Sequence, residues 1–221
     1  MTAALEADRL YRFFHAGDDE TLALRGVSLT LESGQLVAVT GPSGSGKSTL
    51  LACLAGLDEP DGGTVTIGGQ RLNRRPEAER AAIRASSVGV LYQQANLVGH
   101  LSVEANVALA QRLGAGANAA AGRRSLLERV GLAKRMRAQP RELSGGELAR
   151  AGLAVALAND PVLVLADEPT GELDDANAAR VLDLLRERAQ AGAAILVATH
   201  DPAIAEQADH TVRLRDGEVE S

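Results

Sequence analysis

The chain has 221 residues, 45% of them hydrophobic and 24% charged, and carries a net charge of −6. That length holds one large domain, or a core with a small inserted lobe, and the composition is that of a folded chain rather than a disordered one. The acidic balance argues against a dedicated nucleic-acid binder, which carries a basic excess, and a lone cysteine, Cys53, excludes an intrachain disulfide.

Taken in chain order, Leu5 to Phe14 and Leu22 to Leu31 have extended character. Asp8, Asp18, Asp19 and Glu20 leave no apolar core of signal-peptide length in this part of the chain. Leu36-Val37-Ala38-Val39-Thr40 is a short apolar run, followed by a glycine-rich loop and the apolar run Leu50-Leu51-Ala52-Cys53-Leu54. That order predicts strand, loop, helix, with Cys53 as a small buried thiol. Thr64-Val65-Thr66-Ile67 before Gly68-Gly69 predicts a hairpin. From Gln94 to Pro140 the chain turns rich in Ala, Leu and Arg, punctuated by Gly114, Gly116 and Gly122, which predicts several short helices.

Val162 to Ala166 returns to a buried-strand pattern. Asp175 to Ala189 places Ala178, Val181, Leu182 and Leu185 at helical spacing, and Gly192 closes the segment. Ala194 to Ala198 is another strand, and Asp216-Gly217 a final tight turn. Strands alternating with helices imply a mainly parallel sheet covered on both faces. No stretch approaches the ~18 apolar residues of a membrane span. The expectation is a soluble chain of a reducing compartment, with any membrane role supplied by a partner.

Gly41-Pro42-Ser43-Gly44-Ser45-Gly46-Lys47-Ser48 fits the pattern G-x-x-x-x-G-K-[ST]. A phosphate chain needs several N–H donors converging on one place. Glycines let the backbone curl into such a nest, and the following helix presents its positive end. Lys47 would add a full charge for the β- and γ-phosphates, and the Ser48 hydroxyl would ligate Mg²⁺. The candidate nucleotide contacts are Gly41, Ser43, Gly44, Ser45, Gly46, Lys47, Ser48 and Thr49.

Asp167 and Glu168 follow a buried strand, and ligands of open parallel sheets sit at the carboxyl ends of strands. Two acids at such a place are either a solvated turn or a working pair. As a working pair, Asp167 holds Mg²⁺ through its water shell and Glu168 orients or deprotonates the attacking water.

With Leu143-Ser144-Gly145-Gly146-Glu147 the chain resembles the ABC ATPase family, whose signature motif is like this pentapeptide. The same segment also reads simply as a loop with Ser144 capping a helix. The order of motifs strengthens the resemblance: phosphate loop, Gln93, signature, Asp167-Glu168, Asp174 and His200. Gly56-Leu57-Asp58, Leu91-Tyr92-Gln93 with Asn96-Leu97, and Asp167-Glu168-Pro169-Thr170-Gly171 look most like the subgroup that serves lipoprotein, macrolide and peptide exporters. The related cell-division ATPases share much of this pattern.

The resemblance implies an α/β fold: a P-loop NTPase core with a mainly parallel sheet, an N-terminal antiparallel β subdomain and an inserted helical subdomain. The core would comprise residues 1–92 and 148–221, the helical lobe residues 93–147. The implied ligands are ATP and Mg²⁺. The implied partners are a second copy, making a homodimer, and an integral membrane permease that holds the chain at the cytoplasmic face of the membrane. No nucleic acid is expected.

Gln93 would touch Mg²⁺ and link the site to the permease, and His200 would contact the γ-phosphate. Asp174 would couple the two sites of the dimer, and Ser144, Gly145 and Gly146 would complete the partner's nucleotide site. Lys47, Gln93, Glu168 and His200 form the catalytic set, and Ser48, Gln93 and Asp167 the metal set. Phe14 shares a strand face with Arg12, expected to be the exposed one, and is expected to stack on adenine; Tyr11 and Phe13 are expected in the core.

The chain also departs from the family pattern. Leu148 follows Glu147, Val155-Ala156-Leu157 lacks an Arg that many relatives carry, and Ala95 replaces an aromatic residue. The resemblance leaves two functions open: an exporter subunit, or a mechanical regulator of a cell-wall enzyme that transports nothing.

Overall fold

Two kinds of strand coexist in this chain. The runs Leu36–Thr40, Leu163–Asp167 and Ala194–Ala198 are buried nearly end to end, so they sit inside a sheet covered on both faces. The long N-terminal strands bury only part of their side chains, leaving one face of their sheet to water.

The computed structural model describes residues 3–16, 19–92, 96–114 and 120–220. In chain order it contains β1 (Ala3–Ala16), β2 (Asp19–Glu32), β3 (Leu36–Thr40), α1 (Lys47–Leu54), β4 (Gly62–Ile67), β5 (Gln70–Arg71), α2 (Glu77–Ser87) and β6 (Val88–Leu91). There follow α3 (Val103–Leu113), α4 (Ala120–Arg129), two short 3-10 turns and α5 (Gly145–Ala156). The chain then runs through β7 (Leu163–Asp167), α6 (Asp175–Gln190), β8 (Ala194–Ala198), α7 (Pro202–Gln207), β9 (His210–Arg215) and β10 (Glu218–Val219).

One sheet is antiparallel, in the order β2-β1-β4-β5. The other runs β10-β9-β3-β8-β7-β6 and is parallel from β9 to β6, with β10 antiparallel at its edge. The expected α/β architecture is therefore present, antiparallel portion included. Both glycines of Gly68-Gly69 and both residues of Asp216-Gly217 have positive φ (55°, 77°, 48° and 81°), as the tightest hairpin turns require.

Three apolar cores hold these layers. The first lies between the two sheets and contains α1, with Leu5, Leu10, Leu31, Leu50, Leu54 and Leu165 fully buried. The second packs α6 on the opposite face of the parallel sheet through Val181, Leu182 and Leu185. The third joins α3, α4 and α5 through Val103, Val107, Leu127, Ala151 and Ala154. Helix α5 belongs to two of these cores at once, since its Leu153 and Ala156 face the second. Cys53 is buried in the first, and burial pushes its thiol pKa up to about 12, the value of an inert core sulfur.

Helix α2 and strand β6 were not anticipated from the sequence. The apolar residues of α2 are mostly alanines and it buries only Ile83, and β6 is four residues long.

Among the described residues no helix is long and apolar enough to cross a membrane. Gln93, Gly116 and Ala95 lie outside the described residues.

Candidate functional site

Strand β3 ends at Thr40 and α1 begins at Lys47, so the glycine-rich loop spans a strand's carboxyl end and a helix's amino end. Its conformation demands glycine at two points. Gly41 has φ 152° and a Cβ there would lie 2.0 Å from the Leu214 carbonyl; Gly46 has φ 102° and a Cβ would lie 2.6 Å from the Ala23 carbonyl. The loop is thus clamped between β9 and β2. Two further bonds brace it: Gly217 N–H donates to the Ser45 carbonyl at 3.1 Å, and Arg25 N–H donates to the Gly217 carbonyl at 2.8 Å.

Lys47 folds over the loop and its Nζ donates to the carbonyls of Gly41 and Pro42 at 2.8 and 3.0 Å. The first-turn N–H groups of α1 have no acceptor within the helix. Together with Lys47 they make an electropositive concavity suited to phosphate.

A cavity of about 860 Å³ opens above this loop. It brings together Phe14, Gly41, Ser43, Gly44, Gly46, Lys47, Ser48, Thr49, Asp167, Glu168 and His200, most of the predicted site. Ser45 is 2% exposed and sits beneath the loop rather than on the cavity wall. Thr21, Leu22, Arg25, Asp216 and Gly217 also line the cavity. Sequence reading missed them as site residues: Asp216-Gly217 announces only a turn, and a lone Arg25 in a strand announces nothing.

In a regular strand Asp167 and Glu168 would point to opposite faces. Glu168, however, has φ 47°, a left-handed conformation that costs a non-glycine residue about 1–2 kcal/mol. This turn out of β7 is what lets both carboxylates line one cavity.

Glu168 is held from the neighbouring strand's end. Its N–H donates to the Ala198 carbonyl at 2.9 Å, the Thr199 hydroxyl donates to Oε2 at 3.2 Å, and His200 Nδ1 lies 2.7 Å from Oε1. The hydrogen bond to Glu168 raises the His200 pKa above its ordinary value, with the carboxylate's charge adding to it. The Glu168 side chain is only 16% exposed, whereas that of His200 is 75% exposed.

At the N-terminal end of the cavity Phe14 is 42% exposed, as expected. Its neighbours depart from expectation. The Arg12 guanidinium lies 4.7 Å from the Phe14 ring centroid and is half-buried, paired to Asp58 at 2.8 Å and Asp61 at 3.0 Å. Tyr11 is 39% exposed rather than in the core, its ring covering Gly26 and Gly62. Phe13 is half-buried. Register shifts at Leu10/Tyr11 and Arg12/Phe13 break the two-residue alternation on which the core assignment rested.

The remaining predicted residues stand elsewhere. Ser144 caps α5, accepting from Glu147 N–H at 3.3 Å, while Glu147 accepts from Ser144 N–H at 2.9 Å. Asp174 caps α6, accepting from Asn177 N–H at 2.9 Å and from its amide at 2.8 Å. Ser144, Gly145 and Asp174 are exposed, and neither they nor Gly146 line the phosphate cavity. Gly145 meets Glu168 only across a separate narrow cleft of about 70 Å³. Val155, at the position of the missing Arg, lines an apolar cleft with Leu57, Tyr92 and Leu113.

The family model described as ABC transporter matches residues 24–171. The lipoprotein-releasing system ATP-binding protein of Caulobacter vibrioides is 42% identical over 225 residues, covering 100% of this chain and 96% of that protein. The macrolide export ATP-binding/permease protein of Chromobacterium violaceum is 41% identical over 219 residues, 98% of this chain, but this chain spans only 34% of its length. Among solved structures, a dimeric post-hydrolysis state of an ATP-binding cassette bound to ADP and Pi superposes with a TM-score of 0.90 at 34% identity, covering 98% of this chain and 97% of that one.

Proposed function

This chain belongs to the ABC transporter family, and we propose that it is an ATPase subunit that drives a membrane permease in export or in lipoprotein, peptide or macrolide extrusion. Two copies would close head-to-tail around two ATP molecules at the cytoplasmic face of the membrane. Each nucleotide would meet the phosphate loop of one copy and Ser144–Gly146 of the other. Hydrolysis would reopen the pair, and the helical lobe at 93–147 would pass that movement to the permease.

One observation carries this reading. The cavity gathers the loop, both carboxylates, His200 and Phe14, yet Ser144, Gly146 and Asp174 are exposed or placed on another edge of the same chain. A site so divided would be completed by a second copy.

Within it, the loop's N–H groups and Lys47 would grip the phosphates, Lys47 exchanging the Gly41 and Pro42 carbonyls for the β- and γ-oxygens. Phe14 would stack on adenine. Glu168 would orient a water against the γ-phosphorus and take its proton; the new P–O bond forms as the bond to the bridging oxygen breaks, releasing ADP and phosphate. Thr199 and His200 aim that carboxylate.

The Ser48 hydroxyl and the Asp167 carboxylate are hard oxygen donors on one cavity wall, a set that suits Mg²⁺, which keeps several waters and is held by few protein oxygens besides substrate phosphates. Gln93 is the third proposed ligand. The bound ion would supply charge neutralisation at the phosphates.

The test is Glu168→Gln. This variant should bind ATP normally, lose about a hundredfold or more in turnover, and accumulate as a dimer in size-exclusion chromatography when ATP and Mg²⁺ are present. Near-normal hydrolysis would remove Glu168 from its role, and a variant that stays monomeric with ATP bound would remove the dimer.

A further inference from the structure

Gly146 is 2.2 Å, by its absent Cβ, from Asn177 Oδ1, although its φ is ordinary. The glycine is therefore required by a neighbour in its own chain, whatever it does for a partner. That neighbour is fully engaged. Asn177 donates its backbone N–H to Asp174 Oδ1 and its amide to Asp174 Oδ2, and its Oδ1 accepts from Arg150 Nη1 at 2.8 Å.

Arg150, on α5, is 7% exposed, its Nε has no partner among the described residues, and Arg180 adds a like charge nearby. A guanidinium that is costly to bury is thus kept beneath the signature segment with Asn177 as its hydrogen-bond acceptor. The amide orientation follows from its partners: the donor end must face the carboxylate and the acceptor end the guanidinium.

We propose that Asn177 is a positioning residue that locks the Ser144–Gly146 edge of α5 to Asp174 within one protomer, so that both partner-facing elements move as one body. This rests on the dimeric ATPase reading above. The Asn177 side chain fills the gap beside Gly146 and bonds both to Arg150 of α5 and to the Asp174 cap of its own helix. Asn177 does not line the nucleotide cavity, so its effect should fall on turnover and not on nucleotide affinity.

The experiment is a double-mutant cycle on the full chain, reading ATPase kcat and KM together with the affinity for a fluorescent ATP analogue. Asn177→Ala should lower kcat about tenfold or more through misplacement of the edge, with nucleotide affinity unchanged within about twofold. Gly146→Ala should be comparably damaging in the wild-type background. In the Asn177→Ala background the obstructing amide is gone, so Gly146→Ala should lower kcat by a smaller factor than it does in the wild type, what remains being its contact with the partner's nucleotide. Equal cost in both backgrounds, or normal kcat in Asn177→Ala, overturns the proposal.

Should Asn177→Ala fail to fold, the exchange pair decides. Asn177→Asp sets two carboxylates together and should lose activity, and adding Asp174→Asn restores a donor–acceptor match and should recover part of it; no recovery overturns the proposal. If the wild type hydrolyses ATP and Glu168→Gln dimerises while the cycle is additive, this inference falls and the function stands. If those two fail, the function itself falls.

Discussion

The phosphate loop and the signature edge are both helix amino ends, yet they are finished to different degrees. The loop is held open by glycines with positive φ, its lysine rests on backbone carbonyls, and the buried Ser45 hydroxyl has no partner among the described residues. The edge is closed upon itself. Ser144 and Glu147 cap each other, Arg135 pairs with Glu147, and Asp174 spends both carboxylate oxygens on Asn177. Hydrogen bonds from backbone N–H groups hold the Glu147 and Asp174 carboxyls below their ordinary pKa. The first turns its donors toward the cavity; the second spends its polar groups on its own neighbours. On the function proposed above, one chain would bind the nucleotide and a second copy would complete the site.

Mixing experiments break this comparison most directly. Lys47→Ala disables the phosphate loop and Ser144→Arg the signature edge, so each homodimer should be nearly inactive. In a mixed dimer one site carries both lesions and the other none, which should restore up to about half the wild-type rate if the sites act independently. Full activity in the Ser144→Arg homodimer would show that each chain works alone. Because Ser144 is also a helix cap, Ser144→Arg should cost about 1 kcal/mol of stability as well; measuring its thermal midpoint separates that loss from the loss of the surface.

A smaller effect sharpens the phosphate-loop side. Phe14→Ala should weaken ATP binding about two- to tenfold, as expected for a contact worth ~0.5–1.5 kcal/mol, with little change in the thermal midpoint. Half-buried Phe13 should behave the other way: Phe13→Ala lowers the midpoint and leaves affinity alone. The reversed pattern would move the base-stacking role to Phe13.

The smallest effect concerns His200. Its pKa is raised by Glu168, so the stability this pair contributes is fully present below the ordinary histidine pKa of 6.5 and is lost as pH rises through the raised value. The midpoint difference between wild type and His200→Ala should accordingly shrink from pH 6 towards pH 9. Because the imidazole is exposed, added salt should shrink it too. A difference that grows with pH would contradict the pairing.

Most of the phosphate-loop side was legible in the sequence because its chemistry is local. Gly41 to Ser48 carry backbone demands within eight successive positions, and Asp167-Glu168 announce themselves by ending an apolar run. What escaped was non-local. Arg25 and Gly217 reach the cavity only because two sheets meet there, and Asn177 matters only because α5 and α6 bring Gly146 and Asp174 to it. The faces of Tyr11 and Arg12 escaped for another reason: alternation reads strand faces correctly until a register shift intervenes, and β1 has several. Helix α2 escaped because its apolar positions are mostly small alanines set among charged pairs such as Arg84–Glu77, a weaker mark than a run of Leu, Ile or Val.

The bracing of the phosphate loop also fixes an order of events during synthesis. Gly41 leans on the backbone of Leu214, and the Ser45 carbonyl receives its donor from Gly217. A nascent chain that ends before Leu214 carries the whole loop sequence without the wall it rests against. One that ends before His210 also lacks β9, the neighbour that pairs with β3 immediately before the loop. Contacts between such distant segments form late because the long loop between them must first be closed. The nucleotide cavity is therefore completed only once β9 and β10 have left the ribosome, and a chain that stops short of them has no fully braced place for ATP.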